Sequence, residues 1–211
     1  MIENHMNEST ETAVRHRVDY TGAKMGMWIF LFTEIILFGM LFLLYSVFRF
    51  KYSAQFHTSA AELDVFIGTV NTAILITSSM TFAFAVPLLR NGKKGLSMLC
   101  QVLTIVLGII FLLNKLGEWR LHISHGIYPD SPALDQMSRG KIIFFSLYYV
   151  LTGLHGLHLF AGVCVASVML VYTAREIVNA NDFIKLENTG LYWHFVDMVW
   201  MYLFPLFYLI N

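Results

Sequence analysis

Five apolar stretches, 26–48, 65–89, 96–114, 142–174 and 190–210, contain no lysine or arginine and only two carboxylates, Glu34 and Asp197. Every other charged residue of the 211-residue chain lies between or outside them. A bilayer hydrocarbon core about 30 Å thick takes roughly 20 apolar residues per helix, and each stretch is of that order or longer. A soluble helical protein would need a charged outer face on each helix, and these stretches have none. The pattern predicts an all-α, polytopic membrane helix bundle with five transmembrane helices, at about 26–48, 64–89, 96–117, 142–174 and 190–210. A polar segment, 1–24, precedes the membrane domain, 25–211. Basic and acidic residues number 14 each, so the chain lacks the basic surplus of a nucleic-acid binder.

The polar start has no basic n-region, short apolar run and small-residue cleavage site of a signal peptide, so the first span is expected to stay and act as the insertion signal. Lysine and arginine counts set orientation. Arg15, Arg17, Lys24, Arg90, Lys93, Lys94, Arg175 and Lys185 fall on the N-terminal side, against Arg49, Lys51, Lys115, Arg120, Arg139 and Lys141 opposite. The short turn Arg90-Asn91-Gly92-Lys93-Lys94-Gly95 weighs most. The prediction is an N-terminus in the cytoplasm, a C-terminus in the periplasm, and antiparallel second and third spans. Residues 51–63 and 175–189 read as polar loops. The longest loop carries turn residues at Gly126, Pro129, Asp130, Ser131, Pro132 and Gly140. Cys100 and Cys164 lie in separate apolar spans without zinc spacing and read as buried thiols.

Ionisable groups inside a span are costly and mark candidate functional positions. Glu34 sits about 12 Å inside the first span at 1.5 Å per residue, and Asp197 roughly 10 Å inside the last, from the same side. His194 and Asp197 are spaced i, i+3, which places them on neighbouring parts of one helix face; a hydrogen-bonded pair locking the last helix is the simplest reading. His155 and His158 share that spacing. Gly153, Gly156 and Gly162 beside them permit close helix approach. Asn71, Ser78, Ser79 and Thr81 offer interhelical hydrogen bonds. Lys115 and Glu118 are expected at the outer interface, where long side chains snorkel and pair. Trp28, Trp119, Tyr128 and Trp193 are expected as interface anchors.

The chain contains no GxSxG, HExxH, P-loop or GxGxxG motif. No catalytic residue and no metal site is expected. Residue chemistry alone describes an accessory or transport subunit with two buried carboxylates. Two further readings stay open on that basis: a stand-alone small transporter or proton channel using Glu34 and Asp197, and a haem b cytochrome using His155 or His158 with His194.

Three stretches, in order, resemble subunit III of the haem-copper terminal oxidases. They are the helix from Trp28 to Phe38 around Glu34, the segment Thr152-Gly153-Leu154-His155-Gly156-Leu157-His158, and Trp193-His194-Phe195-Val196-Asp197-Met198-Val199-Trp200. Residues 114–119 also look like the family's short polar stretch. The resemblance runs from about residue 25 to the C-terminus and fits the family's five-helix bacterial form, which lacks two N-terminal helices of the seven-helix form. It implies no haem or copper in this chain, redox centres in partner subunits I and II, and packing on subunit I. It further implies a structural phospholipid, in a cleft one wall of which is absent here, with a role in proton uptake and stability in turnover. Glu34, His155, His158, His194 and Asp197 match the family's recurring polar positions. Phe204-Pro205-Leu206-Phe207 is more similar to the cytochrome c oxidase branch than to the quinol oxidases; the subunit-III-like protein of nitric oxide reductases is a third relative. A bacterial inner membrane is the implied location.

Overall fold

The computed structural model describes residues 2–124, 138–180 and 182–210, with side chains from Tyr20 onward. The described residues form six α-helices and no strand: α1 Ile2–Lys51, α2 Ser53–Ala60, α3 Val65–Arg90, α4 Lys94–Ser124, α5 Arg139–Ala174 and α6 Ile184–Tyr208. Four segments are long and apolar enough to cross a membrane: Tyr20–Lys51, Val65–Arg90, Lys94–Ser124 and Arg139–Ala174. The chain is therefore a multi-pass membrane protein. The last helix has the length, at 25 residues, but His194, Asp197, Pro205 and its tyrosines dilute its apolarity.

Several boundaries differ from expectation. Helix α1 runs 50 residues, about 75 Å at 1.5 Å per residue, because no proline precedes Pro87 and the helix continues back through the polar segment. The expected loop at 51–63 contains α2, which buries Phe56, Ser59 and Ala60. Gly140 belongs to α5, not to a turn: a Cβ there would meet the Gln55 side chain of α2 at 2.8 Å. The other turn residues named between Gly126 and Pro132, and Tyr128, lie outside the described residues. Asp64 caps α3, its Oδ1 accepting from the Phe66 and Ile67 amides, as the cap position requires.

Helices α3 to α6 form a ring, each packing against two neighbours in the order α3, α4, α5, α6 and back to α3. The predicted antiparallel pair α3 and α4 turns at Gly92, whose φ of +73° closes the end of α3. There the Gly92 and Lys93 amides donate to the Leu89 and Leu88 carbonyls, a left-handed cap that favours glycine. Helix α1 lies outside the ring against α5 and α6. It buries Leu31, Phe38 and Tyr45 at seven-residue spacing and leaves most of its other apolar side chains exposed, as a lipid-facing helix does. The core is aromatic: Trp193, Trp200, Tyr148, Phe82, Phe111, Phe144 and Phe207 are fully buried. Close approach comes from glycine, since a Cβ on Gly108 would fall 2.8 Å from the Trp193 ring.

Candidate functional site

The carboxyl of Glu34 on α1 meets His158 on α5, with Oε2 3.0 Å from Nε2. Both side chains are about 15% exposed or less. The other ring nitrogen, Nδ1, lies 2.8 Å from the Leu154 carbonyl. A carbonyl only accepts, so the proton is on Nδ1. The Glu34 contact then holds a single proton, carried either by a carboxylic acid facing bare Nε2 or by an imidazolium facing a carboxylate. Tyr192 of α6 donates to the His158 carbonyl at 2.9 Å, and Phe38 sets its ring against the imidazole. Three helices are tied at this point.

His155, one turn earlier, is kept apart from that pair. It is fully buried between Phe111, at 5.7 Å, and Trp200, at 5.2 Å between ring centroids. Neither ring nitrogen has a hydrogen-bond partner among the described residues. His194 and Asp197 do not form the pair their spacing suggests. His194 Nδ1 is instead 2.6 Å from Ser79 Oγ on α3, while both carboxyl oxygens of Asp197 are without a hydrogen-bond partner among the described residues. The two side chains line one cleft of about 320 Å³ between α3 and α6. Among the described residues no three His, Cys, Asp or Glu side chains come together as metal ligands would.

Lys115 and Glu118 are not at an exposed interface; they are buried, at 4% and 6% exposure. Lys115 Nζ donates to Glu118 Oε2 at 3.1 Å and to the hydroxyls of Tyr148 and Tyr208 at 2.8 and 2.6 Å. Both tyrosines donate onward to Glu118 Oε1 at 2.5 Å. The ammonium also lies over the rings of Tyr148, Tyr208 and Trp200. Each charge is thus compensated within a network spanning α4, α5 and α6. Trp119 packs its ring on Tyr149 and against Gly153, its indole N–H without a hydrogen-bond partner among the described residues. Trp193, expected at an interface, is in the core and donates to Ser78 Oγ at 3.1 Å. Trp28 is exposed.

The four polar residues expected to link α3 to its neighbours all do so. Asn71 meets Asn114, Ser78 meets Trp193, Ser79 meets His194 and Thr81 meets Thr104. The sequence reading missed Tyr148 and Tyr208, because a tyrosine in an apolar run carries no sign of a buried partner. It missed Tyr45, which donates across to the Leu206 carbonyl, for the same reason. The cysteines depart from expectation too: Cys100 is half-buried and Cys164 exposed.

A sequence model of the family described as cytochrome c oxidase subunit III matches residues 2–211. Among curated relatives, the "Probable quinol oxidase subunit 3" of Staphylococcus haemolyticus is 31% identical over 190 residues, covering 89% of each chain. Proteins of the same name from Staphylococcus epidermidis and Staphylococcus aureus strain USA300 match over the same length at the same identity. With the match reaching from end to end, through the helix of Glu34, the paired histidines of α5 and the Asp197 segment of α6, the chain belongs to the subunit III family of the haem-copper terminal oxidases.

Proposed function

We propose that this chain is the non-catalytic third subunit of a bacterial inner-membrane oxidase that reduces oxygen with electrons from a quinol. The similarity to quinol oxidase subunits over 89% of both chains carries the choice of donor, ahead of the cytochrome c branch toward which the Phe204–Phe207 ending leans. The subunit crosses the membrane five times, α6 supplying the fifth span, with the N-terminus in the cytoplasm. It packs on subunit I, beside subunit II, and carries neither haem nor copper. Oxygen uptake by the purified complex tests the donor: turnover with a quinol and none with reduced cytochrome c is expected, and the reverse would reject quinol. Cysteine labelling from either side of the membrane, at Gly92 and at Ala61, tests the orientation: only Gly92 should react from the cytoplasm.

Within the complex, Glu34 and His158 order the bundle, and a phospholipid beside it, rather than conduct protons. The supporting observation is that His158 Nδ1 ends on a backbone carbonyl, which cannot pass a proton onward. Glu34→Gln should leave proton uptake in the first turnover unchanged while reducing retained lipid. Slowed uptake with assembly and lipid intact would refute this role.

A further inference from the structure

Both carboxyl oxygens of Asp197 lack a hydrogen-bond partner among the described residues, although the residue is only 5% exposed. Buried polar groups are nearly always paired, so an orphan at this depth calls for a donor supplied from elsewhere. Ser79 makes its 2.6 Å contact with His194; its hydroxyl also stands near the Asp197 carboxyl but does not reach hydrogen-bond geometry with it. The cleft these residues line is about 320 Å³ in volume, within the size range of small-molecule sites. Its remaining wall is largely apolar. Ile76, Met198 and Met201 stand at its mouth and are about half exposed on the outside of the bundle, so the cleft opens sideways rather than toward either helix end.

Position along the helix narrows what can enter. Asp197 lies about 10 Å inside the apolar stretch that begins at Gly190 and about 17 Å from the end of α6, below the level of a phospholipid headgroup from either side. A cation would have to shed its water to reach this level, whereas a hydroxyl on an apolar body brings a donor without that cost. We propose that the cleft is a binding site for a neutral, membrane-soluble hydroxyl compound, its O–H donating to Asp197 and its apolar body lying against Met198 and Met201. A quinol ring and a diacylglycerol both present this chemistry; the choice of quinol rests on the donor reading given above, and the site itself does not.

The test uses the assembled oxidase in nanodiscs doped with a quinol in one series and a diacylglycerol in another. After washing, the retained compound is extracted and counted by mass spectrometry, for wild type, Asp197→Leu and Met201→Trp. The Met201 variant alters an exposed mouth residue and leaves the carboxyl in place, so the test survives if Asp197→Leu fails to assemble. Wild type should retain one more quinol per complex than either variant. Retention of diacylglycerol alone would support the site and reject quinol as its occupant. Equal retention by wild type and Met201→Trp in both series would overturn the proposal. Oxygen uptake on the same preparations separates the two readings: turnover with cytochrome c only, alongside a compound retained in the cleft, would reject the donor and leave the site standing.

Discussion

Lys115 is held by three oxygens and three aromatic faces, and Glu118 receives every hydroxyl proton the cluster has to give. Removing one member of a buried ion pair strands the other at a cost of about 3–5 kcal/mol. Lys115→Met should therefore lower the thermal midpoint of the purified protein, followed by helical circular dichroism. Adding Glu118→Leu should recover most of the loss; a double variant worse than the single would mean that the pair does not compensate itself. The same logic applies to Glu34 and His158. Alanine at each, singly and together, should show a coupling of roughly 0.5–3 kcal/mol. Glu34 and Asp197 were legible in the sequence because a charge in an apolar run stands out. The pairings were not: His158 for Glu34, Ser79 for His194, and the two tyrosines for Lys115 and Glu118 are chosen by which helices meet, information that no single helix contains. The i, i+3 spacing of His194 and Asp197 shows the limit, since sharing a face did not make them bond to each other.

Helix ends and helix contacts follow local rules more closely. Gly92 and Glu176 occupy equivalent places after α3 and α5, with φ of +73° and +62°, and after α5 the Glu176 and Ile177 amides donate to the Thr173 and Tyr172 carbonyls. The left-handed conformation suits glycine and strains glutamate. Glu176→Gly should raise the thermal midpoint. Lys94, hydrogen-bonded at 2.9 Å, holds the Glu176 carboxyl below its ordinary value. That stabilising contribution is present above the ordinary carboxylate pKa and fades as pH falls through the lowered folded value, so the advantage of glycine should widen on acidification. At the contacts, Gly108→Ala and Gly68→Ala would press a methyl to within 2.8–2.9 Å of buried rings. Each should cost about 1–3 kcal/mol, while Gly156→Ala, with open space around it, serves as the neutral control. The four helices long and apolar enough to cross a membrane could be read from charge distribution. Helix α2 could not, because Ser53–Ala60 carries too few apolar residues to announce a buried face.

Over the whole molecule, four helices close on one another and α1 is added outside. Amide hydrogen exchange of the reconstituted subunit should reflect this, with α1 losing protection before α3 to α6; uniform protection would show α1 to be as firmly held as the ring. Family membership was legible from the order of three short motifs, whereas the ring was not, because its closing contact joins helices distant in the chain. That arrangement has a consequence in time. Helix α1 leaves the ribosome first, yet the helices it rests on, α5 and α6, leave last. Glu34 and His158 are 124 residues apart, which at ordinary rates of synthesis is a wait of roughly 6–25 s. Through that interval the nascent chain holds a carboxyl group in the membrane with no imidazole yet made to receive it, so the first helix must be sheltered by the insertion machinery or by lipid until the fourth span arrives.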